Sequence, residues 1–136
     1  MNAQNLFPTR ILHTMLRVSD LDKSEHFYCH FLGMKVQRKK NYPDGEFTLV
    51  FLGYGEEASN TVLELTYNWS DQSYSKGDAF GHIALAVNDI YATCLQLTKR
   101  GVKITRKPAP MKADASEVIA FIQDPDGYQI ELIQKN

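Results

Sequence analysis

Apolar and polar residues alternate loosely from Arg10 to Val18, and the stretch closes on Ser19-Asp20. This predicts a half-buried strand leading into a helix with a short polar N-cap. The helical segment runs to Leu32, where Gly33 follows as the residue that ends it. Phe47 to Leu52 and Thr61 to Tyr67 are rich in β-branched, aromatic and aliphatic residues and flank the glycine-bearing Gly53-Tyr54-Gly55, so they read as strands joined by a loop. The same order then recurs. Gly81 to Val87 reads as a strand, Asp89 to Arg100 as a helix stopped by Gly101, and Val118 to Gln123 and Tyr128 to Gln134 as strands around the turn Asp124-Pro125-Asp126-Gly127. With short strands at Lys35 to Lys39 and Lys103 to Lys107, each half has the order βαβββ. Asn68 to Phe80 is polar and turn-rich and links the halves. The expected organisation is a single domain of two modules, residues 11–68 and 80–134.

The halves also repeat individual residues. His13, Val18 and Asp20 are spaced like His82, Val87 and Asp89, and Leu63-Glu64-Leu65 has its counterpart in Ile130-Glu131-Leu132. The interval from His to Glu is 51 residues in the first half and 49 in the second. Successive strand residues point to opposite faces, so Glu64 and Glu131 face away from the leucines and isoleucine beside them. A pseudo-twofold pairing of the halves, in one curved sheet forming an open barrel, would assemble two imidazoles and two carboxylates. Nitrogen and oxygen donors in that combination suit a divalent first-row metal.

The chain of 136 residues is one domain's worth, and each half of roughly 60 residues would be marginal alone. The halves are therefore expected to share a core or exchange partners in a dimer. A formal charge of −1 with both signs interspersed offers no basic stripe for nucleic acid. Residues 1–8 lack a basic segment followed by an apolar one, and no run approaches membrane-spanning length, so a cytoplasmic protein without a membrane partner is expected. Cys29 and Cys94 lie far apart within helical segments, as free thiols in a reducing compartment would.

Beyond these patterns, His13-Thr14-Met15-Leu16-Arg17-Val18, Glu64-Leu65-Thr66-Tyr67-Asn68-Trp69, Gly81-His82-Ile83-Ala84 and Asp124-Pro125-Asp126-Gly127-Tyr128 with Glu131 resemble glyoxalase I, the lactoylglutathione lyase of the vicinal oxygen chelate superfamily. The resemblance extends from Ile11 to Gln134. It implies an α+β fold of two βαβββ repeats in an interlocked homodimer. It also implies metal ligands His13, Glu64, His82 and Glu131, one His and Glu pair coming from each subunit. Arg17 and Asn68 match positions that hold glutathione, and Lys112 is assigned to the same thiol. The implied reaction isomerises the hemithioacetal of methylglyoxal and glutathione to S-D-lactoylglutathione through an enediolate, detoxifying methylglyoxal. Glu131 is the first candidate for the base and Glu64 the second. Short members without the insertions of the zinc-dependent forms imply nickel, with cobalt and zinc as alternatives.

Two departures from the family pattern stand out. Relatives commonly carry a glycine-rich flap after the position of Lys112, whereas this chain reads Ala113-Asp114-Ala115-Ser116-Glu117, which implies a stiffer loop. Longer members often have an arginine four residues before the second His, where this chain has Asp78. His26 and His30, spaced i and i+4 beside Cys29, could bind zinc on a helix face but do not recur in the second half, so they are read as structural. Rival functions on the same scaffold are a thiol transferase, a dioxygenase, or a non-catalytic protein that sequesters a small ligand.

Overall fold

The computed structural model describes residues 6–70 and 73–135. In the first half, β1 (His13–Arg17) leads through the N-cap Asp20, whose side chain accepts from the Lys23 amide, into α1 (Leu21–His26). The helix then widens into a π-helical turn, Phe27–Phe31, in which the consecutive Phe27 and Tyr28 are both buried. A regular α-helix to Leu32 had been the expectation. Gly33 follows in the left-handed region at φ 74°, a conformation that favours glycine. Then come β2 (Lys35–Tyr42), β3 (Phe47–Gly53) and β4 (Val62–Asn68).

The second half repeats the series with β5 (Ile83–Val87), α2 (Ile90–Lys99) capped by Asp89, β6 (Ile104–Pro110), β7 (Val118–Gln123) and β8 (Gln129–Gln134). Here too the helix is followed by a glycine, Gly101, at positive φ. The strands form two four-stranded sheets, ordered β1-β4-β3-β2 and β5-β8-β7-β6, rather than one continuous sheet. In each, the first strand pairs parallel to the last and the remaining pairs are antiparallel. This is the two-module βαβββ architecture that the sequence led one to expect.

The inner faces of both sheets, α1 with its π-helical turn, and α2 merge in one buried cluster. Leu16, Val50, Leu52, Leu63 and Leu65 come from the first half, and Ile90, Leu97, Ile122, Ile130 and Leu132 from the second. Burying each such side chain contributes roughly 1.5–3 kcal/mol, and sharing one cluster adds to what each half, marginal by itself, would bury. Polar bonds also cross between the halves. Tyr28 Oη donates to Asp124 Oδ2 at 2.6 Å, Ser19 N and Oγ donate to Asp126 Oδ1 at 3.0 and 2.6 Å, and Tyr128 Oη donates to the Arg17 carbonyl at 2.8 Å. The turn at 124–127 and the Tyr128 that follows it therefore hold the end of β1. Burial raises the Asp124 carboxyl, even though Tyr28 and the Asp126 and Tyr128 amides all donate to it. Burial first, and then the Asp124 charge, push the Tyr28 phenol far above its ordinary range.

Candidate functional site

Because the core takes Leu63, Leu65, Ile130 and Leu132, the alternation of each strand turns Glu64 and Glu131 to the opposite, open face of its sheet. Each then meets a histidine. His13 Nε2 stands 3.3 Å from Glu64 Oε2, and His82 Nε2 stands 3.1 Å from Glu131 Oε1. Both glutamates are mostly covered, with 15% and 14% of the side chain exposed, while His13 and His82 keep 36% and 40%. The strand registers explain the match. Glu64 lies opposite Met15, two residues after His13, and Glu131 lies opposite Ala84, two residues after His82. The two halves thus hold their pairs at the same offset of a parallel ladder.

The equivalence extends across the sheets. Glu64 is in register with Phe51, and Glu131 with Phe121. The phenylalanines meet the imidazoles edge to face, at 5.4 Å for His13 and Phe51 and 5.2 Å for His82 and Phe121. Such contacts restrict how the imidazole can turn. One strand farther out, Arg38 lies opposite Phe51 and Arg106 opposite Phe121. Both arginines arrive there through a register shift, between Val36 and Arg38 in β2 and between Ile104 and Arg106 in β6. The inserted residue re-aims the following side chain to the open face. Arg38 stacks at 3.7 Å over Phe51 and pairs with Glu57 at 2.7 Å, while Arg106 bonds to the Ile119 carbonyl. The sequence reading passed over all four residues. The signal was present, because Arg38 and Arg106 each stand five residues after the glycine that ends their helix.

The halves differ at the far ends of these strands. Arg17 and Asn68 sit four residues beyond His13 and Glu64, on the same face, whereas the corresponding places in the second half hold Ala86 and Lys135. Arg17 lines a cavity of about 230 Å³ with Ser19, Ser73, Tyr74, Lys76, Asp126 and Tyr128. Asn68 Nδ2 donates to Tyr74 Oη at 2.9 Å, which ties it to the same cavity. Lys112 is exposed on the loop between β6 and β7 and does not line this cavity. That loop is closed on itself: Met111 N donates to the Glu117 carbonyl, and Ser116 N and Oγ donate to Asp114. The Ser116 bonds hold the Asp114 carboxyl below its usual range.

One expected convergence does not occur within a single chain. Among the described residues no three His, Cys, Asp or Glu side chains are grouped so that they could hold one ion. The two His and Glu pairs lie on the open faces of two different sheets, because the shared core occupies the inner faces. Each pair offers a nitrogen and an oxygen about 3 Å apart, two of the four donors expected from the sequence. His26 and His30 make a ring contact at 4.5 Å and have no third donor grouped with them. Cys29 and Cys94 are free thiols.

The chain is also similar to known proteins over most of its length. Residues 10–132 match the model of the glyoxalase/bleomycin resistance protein/dioxygenase superfamily. A probable lactoylglutathione lyase of Synechocystis sp. is 60% identical over 124 residues, covering 91% of this chain and 94% of that protein. Among solved structures, glyoxalase I of Zea mays superposes with a TM-score of 0.88 at 47% identity, over 93% of this chain and 44% of the maize chain, so this chain spans less than half of the maize protein. The trypanothione-dependent glyoxalase I of Leishmania major superposes with a TM-score of 0.83 at 48% identity, over 93% of this chain and 87% of the other.

Proposed function

The chain belongs to the glyoxalase/bleomycin resistance protein/dioxygenase superfamily, and from that premise we propose that it is a metal-dependent lactoylglutathione lyase that isomerises the hemithioacetal of methylglyoxal and glutathione. The observation that carries this reading is the pair of His and Glu couples, held at one strand offset in both halves and left on open sheet faces. Residues on an open face with paired nitrogen and oxygen donors fit a divalent ion. His13 and Glu64 of one copy, with His82 and Glu131 of a second, would hold it. A homodimer with shared sites is part of the same proposal, supported by the placement of the two donor pairs on separate sheets of one chain. When bound, the ion would stabilise negative charge developing on the substrate's neighbouring oxygens.

The chain's own residues account for the rest of the chemistry. A carboxylate takes the proton from the carbon bearing sulfur and returns it to the adjacent carbon, with no net redox change and no need of a nicotinamide or flavin. Glu131 is assigned this role and Glu64 is its counterpart across the site. Phe51 and Phe121 orient the imidazoles. Arg17 and Asn68, present in only one of the two halves, fix which end of the site receives the peptide. A substrate held in one direction exposes one face of its carbon to a given glutamate, so this asymmetry supports a product of single hand. Lys112, on the 111–117 loop, is assigned to binding the same thiol. Nickel is the proposed ion, ahead of cobalt and zinc, and the cytoplasm the proposed compartment, which suits the free Cys29 and Cys94 thiols.

The test is thioester formation, followed by ultraviolet absorbance, from premixed methylglyoxal and glutathione. Chelator-stripped protein is reloaded separately with nickel, cobalt and zinc. Activity restored by nickel or cobalt is expected. Activity with zinc alone would keep the lyase and overturn the nickel assignment, and no activity with any ion would overturn the lyase on glutathione. Trypanothione is the second thiol to try, given the dependence named for the Leishmania protein.

A further inference from the structure

The 230 Å³ cavity at the end of β1 contains a cation that the sequence pattern did not single out. Lys76, from the segment linking the two modules, lines it together with Arg17. The lysine is exposed and its stem rests along one wall of the cavity. Its ammonium lies 5.1 Å from the centre of the Tyr128 ring, and a Cβ built on Gly127 would meet its Cε and Nζ at 3.8 and 3.9 Å, the distance of ordinary packing. Among the described residues neither Lys76 nor Arg17 is in an ion pair. The cavity's carboxylate, Asp126, is already engaged by Ser19 N and Oγ and by Ser24 Oγ. The Tyr74 hydroxyl accepts from Asn68 Nδ2, and the Tyr128 hydroxyl donates to the Arg17 carbonyl. Two cations facing one occupied carboxylate leave a net positive pocket, and a pocket that small suits one carboxylate and its adjoining atoms.

Position adds to the charge argument. Arg17 is four residues from His13 along an extended strand, about 13 Å at the usual rise per residue. The sulfur sits on the central residue, so the two arms of the tripeptide differ. Extended, the glycyl carboxylate reaches roughly 7 Å from the sulfur and the γ-glutamyl carboxylate roughly 9 Å. The longer arm, with the aldehyde carbons beyond the sulfur, spans the distance better. A thiol tripeptide with its sulfur at the His13 and Glu64 end would bring a terminal carboxylate to the cavity.

We propose that Lys76 is a specificity-determining residue, pairing with Arg17 to bind the γ-glutamyl carboxylate of the thiol substrate. The inference rests on the lyase reading for the identity of the thiol, while the cavity and its two cations are features of the chain itself. Because Lys76 comes from the linker, the second half has no equivalent of this lysine and arginine pairing among the described residues.

The test compares wild-type metal-loaded protein with Lys76→Met, which keeps the stem packed on Tyr128, and with Lys76→Arg. For the glutathione hemithioacetal, Lys76→Met raises KM roughly five- to tenfold with kcat within about twofold, and Lys76→Arg restores KM to within about twofold. In calorimetry, S-methylglutathione binds Lys76→Met more weakly by the same factor. S-methylcysteinylglycine, which lacks the γ-glutamyl residue, binds both proteins alike. An unchanged KM, or equal weakening of the two thioethers, would overturn the assignment. Calorimetry needs no turnover, so a wild-type protein inactive on the hemithioacetal would remove the lyase reading and still leave Lys76 decided by binding.

Discussion

If each site is built from the His13 and Glu64 of one copy and the His82 and Glu131 of another, two inactive chains can restore one another. The first variant carries His13→Ala with Glu64→Ala, and the second carries His82→Ala with Glu131→Ala. Each pair stands on an open sheet face, outside the shared core, so both variants are expected to fold. Each alone forms dimers in which every site has lost two of four donors, and turnover falls by several orders of magnitude. In a mixed dimer one site combines both damaged halves and the other combines both intact halves. Equal amounts refolded together associate as about one quarter, one half and one quarter of the three dimers, so about a quarter of all sites are whole. Mixed dimers isolated with two different affinity tags have half of their sites whole. The measurements are thioester formation and metal content. The isolated mixed dimer should show about half the wild-type kcat, the wild-type KM, and about one ion per dimer. Mixed dimers no more active than their parents, and holding no ion, would refute the shared site and the argument from the two open faces with it.

Glu131→Gln is expected to keep fold and dimer yet lower kcat by about two to four orders of magnitude, since an amide can donate an electron pair but cannot carry the proton; near-normal turnover would move the base to Glu64. Tyr28→Phe removes the 2.6 Å bond to Asp124 Oδ2 and orphans a buried carboxylate oxygen. It should cost roughly 2 kcal/mol in urea unfolding at fixed protein and metal concentration, and a loss below about 0.5 kcal/mol would mean that the inter-module latch is idle. The same variant tests a pH dependence. Tyr28 resists ionisation in the fold but ionises near pH 10 when unfolded, so its contribution is complete below pH 10 and is lost as pH rises further. Wild-type stability should therefore fall more steeply above pH 10 than that of Tyr28→Phe, as urea midpoints at pH 8 and 10.5 would register.

Local pattern made much of this protein legible. Asp20 and Asp89 cap their helices as their positions suggested, Gly33 and Gly101 end them at positive φ, and the alternation around Glu64 and Glu131 correctly turned both carboxylates away from the core. The π-helical turn at Phe27–Phe31 was not legible, because a change from i+4 to i+5 hydrogen bonding leaves the apolar spacing nearly unaltered. Nor were the bulges that bring Arg38 and Arg106 beside Phe51 and Phe121. A strand's side-chain parity is written in its own residues, whereas the extra residue of a bulge is defined only against its partner strand.

The sequence by itself determined the elements, their order, the twofold repeat and the donors each half would present, because these depend on periodicity and on caps within a few residues. Only the tertiary structure decided that the halves fuse through their inner faces, and this sends the two donor pairs onto separate sheets. It alone decided that Asp124 and Asp126 reach back about 100 residues to Tyr28, Ser19 and Ser24, and that a linker lysine shares a cavity with Arg17. Such contacts are selected by the packing of the whole core, and no short window of the chain contains both partners.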